Sequence, residues 1–377
     1  MRTVLICGAG VAGPTLAYWL ARAGFRPTVV ERANGQRSSG SPVDVRGPAL
    51  SVVEEMGLVD DLRAAATHAT GIRFVDSAGR LSRRISMPAG HSTAGTREIE
   101  LPRADLARIL CAAVRDDADF VYDDTIARLD QDPGGVDVCF ERGPARRFDL
   151  VVGADGLHST TRRLAFGSDR EFVRHLGIYV ATTPLGEPPE QPHDVLLHNT
   201  PDRLVAMHPV RGDVGVAFIF RYRAVAGFDH RDLAQHRRIL AEAYAGEHGW
   251  RVPELLTRAL RVDDLYFDAV SKVALPSWSA GRVVLLGDAA ASVSLFGDGS
   301  SLAIAGAHTL AAAVAEGDHV TAFRRYEVEH RRRTDARARG AGLVAAMLIP
   351  KTRAGILARN AAARLLLTGR PSRTAGP

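Results

Sequence analysis

Short unbroken apolar runs alternate with longer periodic ones along this chain. Residues 3–7 (Thr3, Val4, Leu5, Ile6, Cys7) form an apolar, partly β-branched run that stops at Gly8, the pattern of a strand buried on both faces. Leu16, Leu20 and Ala23 then recur at helical spacing, and 27–30 is a second such strand, closing on Glu31. The runs at 148–153 and 282–286 have the same unbroken character. Residues 33–47 are rich in Gly, Ser and Arg and read as a loop, followed by helices at 48–56, ended by Gly57, and at 59–66. Residues 71–87 alternate apolar and polar around Ser77, Ala78 and Gly79, which predicts a hairpin. In 101–114, Leu101, Leu106, Ile109, Leu110 and Ala113 share one helical face. Two or three short strands fit 120–143.

From 171 to 223 the period changes. Strand patterns at 177–183, 195–198, 204–209 and 214–222, separated by turn-rich segments, predict one antiparallel sheet. Helices follow at 230–247 and 253–260, a strand at 265–271, and helices at 301–314 and 321–339. An amphipathic pair spans 343–368, and 370–377 reads as a frayed tail. The fold class is therefore α/β: a doubly wound Rossmann-like domain with an inserted antiparallel-sheet domain and C-terminal helices. The expected division is a discontinuous nucleotide-binding domain at 1–70, 98–170 and 276–340, a substrate domain at 71–97 and 171–275, and terminal helices with a tail at 341–377.

Composition changes this picture little. Of 377 residues, 46% are apolar and 24% charged, as in ordinary globular proteins. The net charge of +5 is carried by arginine, Lys272 and Lys351 being the only lysines. The densest basic run, His330 to Arg333 with Arg337 and Arg339, falls in a polar helical stretch and reads as a solvated face, so no nucleic-acid partner is expected. Cys7, Cys111 and Cys139 are scattered, with no CxxC, and Cys7 and Cys111 fall at expected core positions. With no apolar stretch of membrane-spanning length and no charged-then-apolar leader, a cytoplasmic protein without membrane association is expected. No metal-ligand cluster or serine–histidine pair with diagnostic spacing is present.

The chemistry begins at the end of the first strand, in Gly8-Ala9-Gly10-Val11-Ala12-Gly13. Gly8 suits the tight turn, Gly10 lets backbone approach a pyrophosphate, and Gly13 lets helix pack on strand. The helix opening at Val11 and Ala12 offers free N–H groups and a positive dipole end to phosphates. Glu31 stands where a carboxylate accepts from a ribose diol and disfavours a 2′-phosphate, which suits FAD or NAD better than NADP. Two further strand ends carry small or acidic residues, Gly153-Ala154-Asp155-Gly156 and Gly287-Asp288.

Together these three signals resemble the p-hydroxybenzoate hydroxylase-like FAD monooxygenases, in the branch of tetracycline-modifying and polyketide-tailoring hydroxylases. That resemblance implies that Gly8, Gly10, Val11, Ala12, Gly13 and Glu31 bind the ADP half of FAD, with Arg32 beside the adenosine. It implies that Arg46 and Arg103 approach the flavin, that Asp155 and Gly156 serve the pyrophosphate and the passing nicotinamide nucleotide, and that Asp288 holds a ribityl hydroxyl. Gly299, Ser300 and Ser301 open a helix expected to face the flavin pyrimidine edge, where a dipole end stabilises the anionic reduced ring. From the residues alone, Arg46 and Arg103 also fit solvated positions, and Asp155 a helix cap. The sequence departs from the family at Ala291, at Ser294-Leu295 where a proline pair is usual, and at Ser301 in place of an asparagine.

The implied activity is hydroxylation of a small aromatic or polyketide-like molecule with NADH or NADPH and O2, through a flavin C4a-hydroperoxide. Substrate contacts are expected from His208, Phe218, Arg221, Leu295 and Phe296, with His198 and Phe220 also on candidate strands. A monomer or homodimer fits. The alternatives are an FAD-dependent reductase or dehydrogenase of a small molecule and a non-catalytic flavin-containing binder. Against a disulfide reductase stands the missing CxxC, and against a halogenase the isolation of Trp19, Trp250 and Trp278.

Overall fold

A computed structural model describes residues 2–35, 42–82, 84–86, 98–292 and 298–368. In chain order, β1 (Thr3–Cys7), α1 (Ala12–Arg22) and β2 (Arg26–Glu31) precede β3 (Pro42–Arg46), α2 (Pro48–Glu55) and α3 (Val59–Ala64). Next come β4 (Gly71–Val75), β5 (Ile85–Ser86), β6 (Glu98–Pro102) and α4 (Arg103–Ala112). β7 (Asp119–Tyr122), β8 (Ile126–Asp132), β9 (Gly135–Phe140), β10 (Arg146–Phe148) and β11 (Leu150–Gly153) lead to the short α5 (Thr160–Ala165) and α6 (Asp169–Phe172). β12 (Val173–Pro184), β13 (Asp194–Thr200), β14 (Arg203–Val210) and β15 (Asp213–Arg221) are followed by α7 (Leu233–Ala243) and α8 (Val252–Ala259). The chain closes with β16 (Tyr266–Val273), β17 (Ser279–Ala280), β18 (Val283–Leu285), α9 (Asp298–Glu316), α10 (His319–Leu348) and α11 (Arg353–Thr368).

The first sheet has strand order β17-β18-β11-β1-β2-β7, parallel except for the β17–β18 edge. The chain leaves β1 toward β2 and β7 on one side, then returns to β11 and β18 on the other. The carboxyl ends of β1 and β11 thus flank a topological switch point, where ligands collect in such sheets. The unbroken apolar runs follow from burial on both faces. Val4 and Ile6 of β1 enter a core with α1, α2, α4 and α9, while Leu5 and Cys7 pack with Ile126, Val136 and Val138 of the β8–β10 sheet.

The second large sheet runs β16-β12-β15-β14-β13-β4-β5. The four strands expected between 171 and 223 pair antiparallel as predicted, and the one parallel pair joins β13 to β4. One face buries Tyr179, Phe218, Phe220 and Phe267 against α7 and α8. On the other, α10 covers only one end, where Ala345 and Ile349 pack on Ile178 and Leu204.

Three local expectations are corrected. The expected loop at 33–47 contains β3, which pairs with β6 as a separate two-stranded ribbon. Leu101 belongs to β6, and the helix starts at Arg103, because Val45, Ile99 and Leu101 are buried by strand alternation. The stretches 321–339 and 343–348 form one continuous helix, α10. Among the described residues no helix is long and apolar enough to cross a membrane.

Candidate functional site

The glycine turn after β1 is shaped by close backbone contacts. A Cβ on Gly8 would lie 2.5 Å from the Ala154 carbonyl oxygen, and Gly8 has φ of +111°. A Cβ on Gly13 would lie 1.9 Å from the Gly8 oxygen. Gly10 has nothing within 4 Å of that position, so its backbone borders open space. The helix that follows is unblocked: Val11 at its N-cap makes no side-chain cap, and its first turn carries no acid. Among the described residues no side chain caps its first N–H groups, the arrangement of an anion-binding helix start.

Glu31, at the end of β2, is held by two backbone donors. Its Oε2 accepts from Ala9 N at 2.9 Å and its Oε1 from Ala33 N at 2.8 Å. A carboxylate has about four acceptor sites, so each oxygen keeps capacity for a further hydroxyl. Arg32 turns outward to Glu141 (3.2 Å) and the Thr160 hydroxyl (3.3 Å).

After β11, Asp155 works inside its own turn. Its carboxylate accepts from the Ser159 hydroxyl at 2.5 Å and from the Thr161 backbone at 2.9 Å and hydroxyl at 3.0 Å. Gly156 has φ of +74°. The cap of α5 is Ser159, whose hydroxyl accepts from Arg162 N at 2.9 Å, and Asp155 braces that cap from within the turn beside the Gly8 contact.

Gly287 and Asp288 bring the third strand end to the same place. A Cβ on Gly287 would be 3.3 Å from the Ala12 Cβ and 3.7 Å from the Ala303 Cβ, so the N-terminal turns of α1 and α9 meet there. Asp288 is half-buried and makes no hydrogen bond among the described residues. Burial pushes its carboxyl up, opposed by Arg103 and reinforced by Asp268. Tyr266, raised chiefly by burial, shares the same neighbours Arg103, Asp268 and Asp288. Asp288 and Tyr266 thus both lie within range of the Arg103 charge.

Ser301, in the first turn of α9, donates to the Asp44 carbonyl (2.7 Å) and accepts from Arg46 N (3.1 Å), tying α9 to the β3–β6 ribbon. Arg46 itself reaches Glu98 at 3.1 Å. Gly299 and Ser300 lie in the same turn. Leu295 and Phe296, with Ser294, fall outside the described residues.

The expected substrate residues divide by strand alternation. His208 lies on the sheet face opposite Phe218, with Nε2 3.3 Å from Glu100 of β6 and Nδ1 3.0 Å from the Pro209 carbonyl. Phe218 is a correction: it is fully buried on the opposite face, edge-on to Tyr244, as is Phe220. His198 is buried there too, 3.0 Å from the Val75 carbonyl. Arg221 is also corrected. It serves the C-terminal turn of α10, donating to Ala345 O (3.3 Å) and Ile349 O (3.4 Å).

Sequence reasoning missed Arg162. It is fully buried and donates to the carbonyls of Leu157 (2.6 Å) and Ala289 (3.1 Å) and to Asp169 (2.7 Å). One guanidinium therefore locks the Asp155 turn to the Asp288 turn. Nothing in the pair Arg162-Arg163 marks which one turns inward. The cap is the only hint, since Ser159 fixes the start of α5 and hence its inner face.

A family model described as "FAD binding domain" matches residues 1–336. A protein named flavin-dependent monooxygenase, from an unknown prokaryotic organism, is 36% identical over 328 residues, covering 86% of this chain and 84% of that protein. An uncharacterised protein of Mycobacterium tuberculosis is 39% identical over 338 residues, covering 87% and 90%. The crystal structure of tetracycline destructase Tet(55) superposes with a TM-score of 0.83 at 32% identity, covering 98% of this chain and 96% of the other. For tetracycline destructase Tet(51) the values are 0.84, 30%, 98% and 96%.

Proposed function

The chain belongs to the FAD binding domain family, and we propose that it is an FAD-dependent monooxygenase that hydroxylates a small aromatic or polyketide-like molecule with NAD(P)H and O2. One observation carries this reading: the open-sided Gly10 turn, the uncapped start of α1 and the unengaged Asp288 carboxylate converge on one crevice. Relatives named flavin-dependent monooxygenase support the reaction class. The tetracycline destructases support a polycyclic, oxygen-bearing substrate.

FAD, when bound, supplies the redox chemistry, accepting a hydride from NAD(P)H and activating O2. This chain's residues hold and shape. Gly8, Gly10 and Gly13 bring backbone against the pyrophosphate, and the N–H groups at Val11 and Ala12 donate to it. Glu31 accepts from the adenosine ribose, with Arg32 flanking. Asp288 accepts from the ribityl chain, and Asp155-Gly156 and Arg162 fix the turns on either side. The first turn of α9, at Gly299, Ser300 and Ser301, aims its dipole at the pyrimidine edge. Arg46 and Arg103 add positive charge where the reduced ring is anionic. His208 faces the substrate.

On this reading 1–70, 98–170 and 276–340 form the cofactor domain, 71–97 and 171–275 the substrate domain, and 341–377 terminal helices and tail. Cys7, Cys111 and Cys139 form no disulfide, which supports a reducing compartment, the cytoplasm.

The test is the visible spectrum of the purified protein, then NADH and NADPH oxidation with and without polycyclic phenols. Flavin bands, substrate-stimulated turnover and a product one oxygen heavier are expected. Asp288→Asn should weaken FAD retention by about tenfold to a hundredfold, since a buried hydroxyl loses its charged acceptor. A colourless protein that FAD cannot reconstitute overturns the reading, and flavin bands without stimulation move it to a reductase or a binder.

A further inference from the structure

The end of the chain has a charge pattern unlike the rest. Residues 336–377 hold eight of the 48 Lys and Arg and none of the 43 Asp and Glu, so the remainder of the chain is net negative. Arg359 is turned inward: it donates to Asn199 and to the Met347 carbonyl, tying α11 to the end of α10. Arg339 on α10, Lys351 in the turn and Arg353 at the start of α11 are exposed.

The same helices expose aliphatic side chains in line with those cations. Along α10, Arg339, Leu343 and Met347 follow one another four residues apart, on one face of the helix. Leu343 is 69% exposed, Met347 53%, and Val344 beside them 39%. Ala345 and Ile349 take the inner side of α10 against Ile178 and Leu204, so Leu343 and Met347 are turned away from the sheet. Along α11 the row is Arg353, Leu357 and Ala361, with Leu357 70% exposed. Both rows start at a cation and run into aliphatic surface. Two copies meeting through this face would bring like charges together, with no acid in the segment to pair them. A protein partner is usually anchored by aromatic residues, and no Phe, Trp or Tyr follows Tyr326. Aliphatic side chains flanked by cations suit the boundary between acyl chains and anionic headgroups. Such docking needs only one face of a helix, so the lack of a spanning helix among the described residues does not bear on it.

We propose that the outer rows of α10 and α11 dock on an anionic phospholipid surface. Leu343, Met347 and Leu357 enter the boundary between headgroups and acyl chains, and Arg339, Lys351 and Arg353 sit at the phosphates. The docking is peripheral and independent of the reaction proposed above.

The experiment is sedimentation of the full purified chain with vesicles of phosphatidylcholine, alone or mixed with phosphatidylglycerol. Binding to the mixed vesicles only, weakened by raised salt, is expected. Leu343→Gln with Met347→Gln should weaken it about tenfold or more, and Arg339→Gln with Arg353→Gln about tenfold. All four positions are exposed, so Tm should stay within about 3 °C in both variants. No binding to the mixed vesicles, or binding that both variants leave unchanged, overturns the inference. Equal binding to phosphatidylcholine alone also overturns it, because the cations would then have no part in docking. Self-association without vesicle binding, abolished by Leu343→Gln with Met347→Gln, would assign the face to a second copy instead. Binding to polyglutamate in place of vesicles would assign it to an acidic protein.

Discussion

Gly10 and Gly13 stand three residues apart and forbid a side chain for different reasons. At Gly13 a Cβ would collide with the Gly8 oxygen, inside the turn itself. Gly13→Ala should therefore destabilise the protein by about 3 kcal/mol or more, with or without cofactor. At Gly10 nothing occupies the space, and alanine costs the free protein almost nothing. The new methyl would stand where a pyrophosphate approaches the backbone. Gly10→Ala should leave the Tm of the cofactor-free protein within about 1 °C while weakening FAD binding at least about tenfold. Thermal shift with and without FAD checks both. Equal FAD affinity in Gly10→Ala and wild type would show that the open side of the turn holds no ligand. Both glycines were legible in the sequence because their spacing sits between a strand and a helix. The inward turn of Arg162 was not, because it depends on contacts with Ala289 more than a hundred positions away.

At the scale of elements, α10 shows what local pattern hides. A run of arginines suggested a solvated helix, yet Phe323, Tyr326, His330 and Thr334 are all buried. Their spacing of three and four is the helical period, so the stripe was present in the sequence, masked by the charges between its members. His330 stacks on Tyr326, and Arg331 lies over the Trp278 ring while pairing with Glu327. Burial, helped by Arg333, holds His330 down at about 4 from an ordinary 6.5. The unfolded chain therefore takes up this proton first as pH falls. Stability from the neutral imidazole is present above about 6.5 and drains away down to about 4, a loss of about 3 kcal/mol once pH is below both values. His330→Leu should narrow the fall in Tm between pH 7 and pH 5. An unchanged fall would mean that His330 is not the group that titrates. The ribbon of β3 and β6 was missed for another reason. Its strands are short and pair only with each other, and Asp44, Arg46, Glu98 and Glu100 interrupt the apolar signal.

Over the whole molecule, the crevice exists only while two sheets keep their distance, and α10 is the strut between them. At one end the Tyr326 hydroxyl donates to the Leu285 carbonyl of β18. At the other, the last carbonyls of the helix are received by the second sheet: Leu348 by Asn199 at 2.9 Å, and Ala345 by Arg221. Asn199 also accepts from Arg359 of α11 at 2.6 Å, and that guanidinium lies over the Phe74 ring. Such contacts join residues far apart in sequence, so no periodicity could announce them, although the helices themselves were legible. Asn199 is the point where sheet, α10 and α11 meet. Asn199→Ala removes one donor from a helix end and one acceptor from a half-buried arginine, which should raise local opening about tenfold. Limited proteolysis should then cut near 349–353 correspondingly faster, while FAD retention stays unchanged because no cofactor contact is lost. The same variant should oxidise more NAD(P)H per hydroxylated product, since a looser strut lets water into the crevice. Faster cleavage with unchanged coupling would mean that the strut holds the terminal helices but not the spacing of the sheets. Unchanged cleavage would mean that Arg221 alone carries the joint.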